Sequence, residues 1–344
     1  MENSRTYHII GAGIAGLYTA KLIKEKYPLS CIILYEAAEK IGGRCGSYFD
    51  SEFNCNCDNA THVILNCNSS TKKLITPQNF KHSIRIWDLS KQKFSTFCSC
   101  FPETVLAIFN TSKPNWRALG YAFRKLFPFI YLRAYFSQGN LSEELCAPLL
   151  QFTNDIKYGY IWQGIESSNG KISKLIFNKQ SITVSPQDTV ISAIDSFNYH
   201  KIMGGYDFEY NAITNIFYRT SMALTLPNEL KMLGLKKALG QWLFCTPDYT
   251  SVIISNTTSN TDPREIWTEI CKIRNYNSAF IPTFKVRTFP LATIRQDKKN
   301  NAKRPTSAKT KFANFFICGD WTMKNKPCCI ETAILSAQRI MKYL

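Results

Sequence analysis

The chain has 344 residues, of which 45% are hydrophobic and 13% aromatic, and it carries a formal net charge of +17. This length and apolar content are typical of a globular protein with a substantial core, usually in two lobes, and exclude an intrinsically disordered chain. A positive charge of this size is compatible with nucleic acid or an anionic membrane as a partner. No zinc-finger, RNA-recognition or helix-turn-helix motif is present, so we predict no nucleic-acid partner.

The 13 cysteines include no Cys-x-x-Cys pair; the closest spacings are Cys55-x-Cys57, Cys98-x-Cys100 and Cys328-Cys329. This pattern predicts neither a metal site nor a disulfide framework. The first apolar strand starts at Tyr7, which leaves no room for a cleavable signal peptide. We therefore expect a reducing, cytoplasmic location.

The first motif is a glycine-rich turn near the start of the chain. The apolar run 7–10 predicts a buried parallel strand, and Gly11, Gly13 and Gly16 follow with the spacing G-x-G-x-x-G. In such a unit the first glycine makes a tight turn, the second lets the backbone approach a pyrophosphate, and the third lets the helix pack on the strand. The N–H groups at the helix start, including those of Ile14 and Ala15, then face the anion.

A second apolar run, 31–35, ends in Glu36, 20 residues beyond Gly16. An acidic residue at this point accepts hydrogen bonds from an adenosine ribose. Strand, helix, strand and acid together predict a dinucleotide site. This unit by itself leaves FAD and NAD both open.

Residues 36–44 favour FAD. Gly42, Gly43 and Arg44 follow Glu36 in the pattern E-x(5)-GGR, and this segment resembles the flavin amine oxidase and phytoene desaturase superfamily. The resemblance implies an α/β fold: a three-layer, FAD/NAD(P)-binding Rossmann-like domain with an α+β substrate cap domain. It also implies that the two glycines bring the backbone close to FAD and that Arg44 contacts its phosphates.

The C-terminal end carries the matching half of this resemblance. The run 315–318 predicts a strand, Gly319-Asp320 a turn, and 330–344 has helical periodicity after Pro327. The resemblance implies that Asp320 hydrogen-bonds the ribityl chain. It also implies that the helix start at Ile330 and Glu331 directs its positive end at the flavin. One FAD is then held by both ends of the chain.

Several further stretches resemble the squalene-associated FAD-dependent desaturases, also called hydroxysqualene dehydroxylases. They are residues 58–65, 148–154, 241–244, 251–255 and 292–322. The resemblance implies an FAD-dependent oxidoreductase that acts on an isoprenoid or triterpene, a lipophilic small molecule. Amine oxidases of the superfamily have an aromatic residue where this chain has Cys329, which argues against amine oxidation.

Alternative functions stay open. One is an amine-oxidase-like or protoporphyrinogen-oxidase-like flavoenzyme, and the other is a catalytically silent FAD-binding protein. The silent alternative is favoured by Thr332, where the family has glycine, and by the short connection between Asn154 and the hairpin at Gly170, where the family has a long helical passage. The sequence does not identify the electron donor or acceptor.

We predict a discontinuous FAD-binding domain from residues 1–75, 155–205 and 290–344, with a cap domain from 76–154 and 206–289. Residues 116–136 mix aromatic and basic side chains, and their apolar runs are shorter than the ~20 residues of a membrane span. Two interpretations remain: a surface helix that makes peripheral contact with the inner membrane face, or a core helix of the cap. Residues 295–311 hold seven basic residues and one acid, which predicts an exposed connector.

Asp58 and His62 are the candidates for proton transfer. If their segment is helical they share a face at i, i+4, and the resemblance puts it near the flavin. Loss of hydroxide from carbon needs a general acid, which a histidine supplies near neutral pH; a purely structural role is the alternative. Trp242 and Phe244 share one face of a predicted strand and line a substrate tunnel or form plain core.

Overall fold

The computed structural model describes residues 5–95, 101–126, 132–220, 226–257, 261–275 and 280–344. The helices are α1 (Ile14–Lys26), α2 (Phe101–Phe109), α3 (Trp116–Leu126), α4 (Ser196–Met203), α5 (Pro263–Arg274), α6 (Lys298–Lys303) and α7 (Ile330–Ile340). The strands are β1 (Thr6–Ile10), β2 (Cys31–Glu36), β3 (Ser47–Asp50), β4 (Cys55–Asp58), β5 (Val63–Leu65), β6 (His82–Ser83), β7 (Ile86–Asp88), β8 (Lys93–Ser95), β9 (Arg133–Phe136), β10 (Asp155–Tyr158), β11 (Trp162–Ser168), β12 (Lys171–Phe177), β13 (Ser181–Thr183), β14 (Thr189–Ser192), β15 (Tyr210–Arg219), β16 (Met232–Lys236), β17 (Trp242–Cys245), β18 (Tyr249–Ser255), β19 (Phe284–Ile294) and β20 (Phe315–Ile317).

A parallel five-stranded sheet brings the two ends of the chain together. Its order is β10-β2-β1-β14-β20. Strand β1, near the start of the chain, and strand β20, near its end, are therefore separated only by β14. Strands β1, β14 and β20 are buried along nearly their whole length, as expected of a sheet covered on both faces, whereas the edge strand β10 carries Asp155 and Lys157. Helices α1 and α7 pack together in one core cluster, where the Thr19 hydroxyl lies 3.7 Å from the Cys318 sulfur. The opposite face is covered by an aromatic cluster that includes Trp162, Phe315 and Trp321.

An antiparallel sheet, β11-β12-β13, contributes to that aromatic cluster. Its first hairpin turns at Asn169 and Gly170, which both have positive φ, 50° and 72°. Two residues with positive φ are the signature of the tight turn that suits the twist of a hairpin. Directly after Asn154 the chain re-enters the parallel five-stranded sheet at β10, which pairs with β2. The hairpin follows β10 closely.

A seven-stranded mixed sheet has the order β19-β15-β18-β17-β16-β7-β8. Helix α5 covers one face through Ile266, Trp267 and Ile270. This helix has a side-chain N-cap, because the Asp262 side chain accepts a hydrogen bond from the Arg264 N–H at 2.9 Å. The three-stranded sheet β5-β9-β6 packs on β16 and β17 through a cluster that contains Phe136 and Phe244.

Helices α2 and α3 form a separate small cluster built from Val105, Phe109, Ala118 and Ala122. Within the described ranges, no helix has the length and apolar character needed to cross a bilayer. Within the segment 116–136, the described residues form helix α3 and strand β9; residues 127–131 lie outside the described part.

The predicted fold class is confirmed: an α/β, Rossmann-like three-layer unit is joined to mixed sheets and helices. The division into a cofactor domain and a cap stays a prediction. The expectation of an exposed connector at 295–311 is wrong in part. The segment contains α6, and Arg304 is buried and donates to the carbonyls of Met323 at 2.9 Å and Lys326 at 2.8 Å. Because the Arg304 guanidinium binds backbone carbonyls inside the protein, the number of basic residues in the segment did not predict that this residue is buried.

Candidate functional site

The glycine loop between β1 and α1 has the geometry that its spacing predicts. Gly11 has φ +102°, and a Cβ on Gly16 would lie 2.0 Å from the Gly11 carbonyl oxygen. Only glycine therefore fits at both positions. Gly13 is the N-cap of α1 and provides no side-chain cap, so the first N–H groups of the helix, from Ile14 and Ala15, are arranged for an external anion.

A second glycine loop lies beside the first. The Gly42 N–H donates to the Ala12 carbonyl at 2.9 Å, and Gly13 and Gly42 form a β-bridge. Gly42 and Gly43 have φ of +105° and +54°. A Cβ on Gly43 would lie 3.6 Å from the Gly13 Cα. Gly13 and Gly42 are 29 positions apart in the chain, yet the two loops form one surface of bare backbone, as pyrophosphate binding requires.

Glu36 lies at the end of β2, next to both loops. Its carboxylate accepts hydrogen bonds from the Ala12 N–H at 2.7 Å and from the Ala38 N–H at 2.9 Å. Each carboxylate oxygen has a second lone pair. These contacts orient the carboxylate and leave acceptor capacity for ribose hydroxyls.

Arg44 and Asp320 join the two halves of the site. An Arg44 guanidinium nitrogen lies 2.6 Å from an Asp320 carboxylate oxygen, and the other terminal nitrogen donates to the Ala292 carbonyl at 3.2 Å. The Asp320 side chain is 4% exposed and that of Arg44 is 52% exposed. Burial acts to raise the pKa of Asp320, but the charge and hydrogen bond of Arg44, the charge of Arg304 and the Trp321 N–H together outweigh it, so the pKa lies below its usual range. Asp320 is therefore an ionised acceptor at neutral pH.

The turn before Asp320 is fixed by a hydrogen bond from α7. Gly319 has φ +127°, and its N–H donates to the Ser336 hydroxyl at 2.8 Å. A Cβ on Gly319 would lie 2.9 Å from the Trp321 ring. The strand, the turn and α7 are thus locked together by packing that is independent of any ligand.

Helix α7 starts later than Pro327, with Cys329 as its N-cap and no side-chain cap. Cys329 is exposed to solvent, and desolvation by the surrounding groups raises the pKa of its thiol. Thr332 is fully buried, and its hydroxyl lies 3.4 Å from the Cys329 sulfur. The Ile330 side chain is also buried, so what this helix start offers to a ligand is its backbone.

Glu331 binds protein through its side chain, which the sequence did not indicate. Its carboxylate accepts from the N–H groups of Ser70 at 3.1 Å and Thr71 at 2.8 Å, and from the Thr71 hydroxyl at 2.8 Å. These residues begin the 3₁₀ helix Thr71–Leu74. Any contact of Glu331 with a cofactor is thereby restricted to its backbone, since each of its carboxylate oxygens, unlike those of Glu36, already accepts at least two hydrogen bonds.

Asp58 is fully buried at the end of β4. One carboxylate oxygen accepts from the Ser47 hydroxyl at 2.7 Å and from the Leu141 N–H at 2.9 Å, while the other has no hydrogen-bond partner among the described residues. Leu141 leads into a π-helical turn, Ser142–Cys146, a feature frequent at functional sites. A buried carboxylate oxygen without a partner is costly unless a ligand, water or proton satisfies it.

His62 lies in the loop before β5, so the helical arrangement considered for Asp58 and His62 is wrong. Asp58 is the last residue of β4, and His62 lies in the loop through which the chain passes to β5 in another sheet. The His62 Nδ1–H donates to the Ala60 carbonyl at 2.7 Å, which leaves Nε2 as the acceptor of the neutral ring. Desolvation lowers the pKa of His62, while Asp58 acts to raise it and Arg44 to lower it.

Tyr249 is a further candidate residue of the functional site, and the sequence analysis did not identify it. It is buried on β18, and its hydroxyl has no hydrogen-bond partner among the described residues. Desolvation raises its pKa well above the usual range, and the Asp58 charge adds to that shift. No motif marks this tyrosine, since its proximity to Asp58 arises from the packing of two sheets.

Trp242 and Phe244 share a face of β17, as predicted, and their rings stack at 6.3 Å. Phe244 is fully buried against Phe136, with ring centroids 5.1 Å apart. This packing favours the core interpretation for Phe244. Trp242 is only partly buried and keeps one side for other contacts. In the parts of the chain that the structure describes, no three His, Cys, Asp or Glu side chains converge to hold a metal ion.

The residues fit a flavin dinucleotide. Two glycine loops expose backbone at an uncapped helix start, Glu36 keeps acceptor capacity, and the Asp320 carboxylate is ionised beside a half-exposed Arg44. Residues 9–75 match the NAD(P)-binding Rossmann-like domain family. Together the fold and this site define the class: an oxidoreductase with a flavin-type cofactor.

Two relatives allow a more specific comparison of the whole sequence. The chain is 26% identical to the hydroxysqualene dehydroxylase of Sinorhizobium fredii, over 97% of both chains, and 25% identical to that of Rhodopseudomonas palustris, over 98% of this chain and 97% of the relative. The resemblance to hydroxysqualene dehydroxylases is confirmed. The alignments span 412 and 413 positions, more than the 344 residues of this chain, so the relatives carry internal stretches that it lacks.

A solved structure gives the same fold. A protein from Exiguobacterium, described as a protoporphyrinogen oxidase, superposes with a TM-score of 0.68 over 99% of this chain and 98% of its own, at 12% identity. At this identity the similarity concerns the fold alone. It supports the shared architecture of both sheets, not a shared substrate.

Proposed function

We propose that the chain binds FAD and uses it in an oxidoreductase reaction on an isoprenoid, of the hydroxysqualene dehydroxylase or desaturase type. The observation that carries this proposal is the Arg44–Asp320 ion pair, because it joins the loop after the ribose acid to the turn before α7. In this proposal Gly11, Gly13, Gly16, Gly42 and Gly43 receive the pyrophosphate on bare backbone.

The remaining cofactor contacts follow the same surface. Glu36 accepts from the ribose, Arg44 contacts phosphate, and Asp320 accepts from the ribityl hydroxyls, since it is ionised and turned toward Arg44. Gly319 and the backbone of Ile330 and Glu331 complete the site beside α7. Bound FAD supplies hydride or electron transfer, and the protein supplies orientation, electrostatics and exclusion of water.

Asp58 and His62 supply proton transfer in this proposal. At neutral pH His62 is uncharged, because desolvation lowers its pKa, and it presents Nε2 as a proton acceptor. A general-acid role for His62 therefore requires that a proton reach Nε2 first. Asp58, with one oxygen fixed by Ser47 and Leu141 and the other without a partner, is the carboxylate placed to stabilise the protonated ring.

The second candidate function is that of a catalytically silent FAD-binding protein. It is supported by the shorter length of this chain relative to the dehydroxylases that it matches. An amine-oxidase-like reaction has less support, since Cys329 stands where an aromatic wall is expected. A cytoplasmic location, with peripheral contact at the inner membrane face, completes the proposal and suits a lipophilic substrate.

The test is the visible spectrum of the purified protein, followed by substrate addition. Oxidised flavin gives bands at roughly 370 and 450 nm. We expect both bands, and we expect them to change when hydroxysqualene is added anaerobically with a reductant or an electron acceptor. A yellow protein whose flavin responds to neither isoprenoid nor amine would establish the silent alternative. A folded, colourless protein that does not bind added FAD would refute the proposal.

A further inference from the structure

A cavity of about 350 Å³ lies between α3 and the loop that leads into α7. Its lining residues are Trp116, Arg117, Gly120, Tyr121, Arg124, Lys324, Asn325 and Lys326. The α3 residues at 117, 120, 121 and 124 follow the spacing i, i+3, i+4, i+7 and therefore share one helix face. None of the residues proposed to hold FAD lines this cavity.

The cavity is positively charged and lacks a carboxylate. Four of its lining residues are Arg or Lys, and none is Asp or Glu. Across the described ranges, no ion pair is formed by Arg117, Arg124, Lys324 or Lys326. The neighbouring Glu331 is engaged with Ser70 and Thr71. The Glu331 charge still acts on Lys326, but no carboxylate of the described residues forms an ion pair with any of the four cations, so the clustered charge is not neutralised by direct pairing.

One cation is held at a defined position. The Lys326 ammonium lies 3.6 Å from the centre of the Tyr121 ring, a cation–π contact that orients it. Desolvation lowers the pKa of Lys326, and the charges of Lys125 and Arg124 lower it further. An anion between these groups relieves that repulsion, since opposite charge nearby favours the protonated form.

Space for a ligand comes from a glycine in the middle of a helix. A Cβ on Gly120 would meet no atom within 4 Å. Glycine in a helix interior costs roughly 0.5–1 kcal/mol relative to alanine, and no turn or close backbone contact requires it here. Its effect on the molecule is to leave the centre of the cationic face open.

The rim of the cavity carries exposed aromatic side chains. Trp116 is 71% exposed and Phe123 is 51% exposed. They are seven positions apart, so they lie on the same side of α3, adjacent to the cationic face. Aromatic side chains next to basic ones are characteristic of helices that lie in the interface of an anionic membrane.

We propose that this cavity is a phosphate-binding site, and that the phosphate is the headgroup of an anionic phospholipid. The aromatic rim enters the interface, and the Arg117, Arg124, Lys324 and Lys326 charges bind the headgroup phosphate. The loop that carries Lys324 and Lys326 leads directly to Cys329, the N-cap of α7. Lipid binding here brings the membrane to the candidate redox site, and it requires neither flavin nor catalysis.

The test is sedimentation of the full chain with vesicles of phosphatidylcholine, with and without phosphatidylglycerol. We expect binding only to the anionic vesicles, and a loss of roughly tenfold or more in affinity when Arg124→Gln and Lys326→Gln are combined. The matched control combines Arg264→Gln and Lys272→Gln on α5, which removes the same charge from exposed positions outside the cavity. These two control substitutions should weaken binding to the anionic vesicles by about threefold at most.

A second pair of variants separates the cavity from general charge. Gly120→Met fills the cavity without changing charge, and Gly120→Ala leaves most of it open; both favour the helix. We expect only the methionine variant to lose affinity for anionic vesicles. Inorganic pyrophosphate is titrated in the absence of vesicles into the unsubstituted protein and into Gly120→Met, so that only binding lost in Gly120→Met is assigned to the cavity rather than to the glycine loops.

Pyrophosphate binding that Gly120→Met abolishes, without binding of anionic vesicles, would support the phosphate site and overturn its assignment to a lipid. Equal losses in the cavity and α5 variants would overturn the site itself, as would binding of neither vesicles nor pyrophosphate. Far-ultraviolet circular dichroism of each variant establishes that the fold is intact.

Discussion

Arg44 and Asp320 form an ion pair at 2.6 Å although 276 positions separate them in the chain. Arg44 follows the second glycine loop, and Asp320 follows the last strand of the cofactor sheet. The pair therefore depends on both ends of the chain being folded onto the same sheet. It is also the point where the proposed cofactor would contact both ends at once.

Replacing Asp320 tests this link. Asp320→Asn keeps the shape of the buried side chain but removes the charge that faces Arg44. We expect a loss of about 1–3 kcal/mol in the free energy of unfolding, since a charged hydrogen bond is lost, together with weaker flavin retention. The measurements are the urea midpoint and the flavin-to-protein absorbance ratio. Asp155→Asn, which removes a surface pair with Lys157, should change stability by less than about 1 kcal/mol; similar losses in both variants would contradict the prediction.

Two glycine substitutions separate folding from cofactor binding. In Gly16→Ala the new methyl would lie 2.0 Å from the Gly11 oxygen, so we expect a loss of about 3 kcal/mol or more in stability. In Gly13→Ala the nearest atom is the Gly42 oxygen at 3.9 Å, an ordinary contact. We expect Gly13→Ala to change the stability of the flavin-free protein by less than about 1 kcal/mol.

The expected effect of Gly13→Ala is on the cofactor, because its methyl projects where a pyrophosphate needs bare backbone. We expect flavin affinity to fall by about tenfold or more, measured by quenching of flavin fluorescence on titration. Normal flavin affinity in a folded Gly13→Ala protein would show that the loop does not contact the cofactor.

The pH dependence of turnover tests His62. Because desolvation lowers its pKa below the ordinary value of 6.5, the ring is neutral at physiological pH and becomes charged only in acid. If Nε2 accepts a proton in the reaction, turnover rises with pH through that lowered pKa and is constant above it. His62→Gln should lose this acid limb and about 100-fold or more in kcat.

His82→Gln is the matched control for His62, because His82 is also a half-buried histidine with a pKa lowered by desolvation. It lies on β6 and packs on Phe136, away from the glycine loops. An unchanged pH profile in His62→Gln, or the same loss in His82→Gln, would exclude His62 as the proton acceptor.

Glu331 is expected to matter for stability rather than for the flavin spectrum. Glu331→Ala leaves the N–H groups of Ser70 and Thr71 and the Thr71 hydroxyl without their acceptor, which should cost about 2–4 kcal/mol. Glu331→Gln retains one acceptor oxygen and should lose less. Thermal melting of the two variants measures the difference. A Glu331→Ala protein of normal stability with altered flavin bands would instead assign the side chain to the cofactor.

Stability should fall in acid because of His8. The ring is 4% exposed, its Nδ1 lies 2.9 Å from the Tyr35 hydroxyl, and desolvation lowers its pKa in spite of Asp188 at 3.6 Å. Below the unfolded pKa of about 6.5 the unfolded chain binds more protons than the folded one, so the free energy of unfolding decreases as pH falls. Above that pH the contribution is constant.

Urea midpoints measured from about pH 8 to about pH 5 test this dependence. His62 and His82 act in the same direction, since desolvation lowers the pKa of each. His8→Asn should reduce stability at neutral pH and remove its part of the slope. Stability that is constant or rises toward acid would contradict the burial of an uncharged His8.

The local rules of the sequence predicted the cofactor half of the fold. The spacing of Gly11, Gly13 and Gly16 and the acid at the end of β2 are both short-range patterns with a direct structural consequence. They hold because turn conformation, helix capping and strand burial are decided within a few residues. Residues 58–62 failed the same reasoning, because i, i+4 spacing has meaning only inside a helix and this segment is a strand end and a loop.

Residue types and their spacing were enough to identify the groups that are able to bind a dinucleotide: glycines that tolerate positive φ, an acid after β2, and an Arg and an Asp at opposite ends of the chain. Folding of the whole chain sets what those residues contact. It paired Arg44 with Asp320, turned Glu331 toward Ser70 and Thr71, buried Arg304, and collected the cations of α3 and the 324–326 loop around one cavity. Such contacts join residues far apart in the chain, and their energies depend on burial and distance, which spacing along a sequence does not contain.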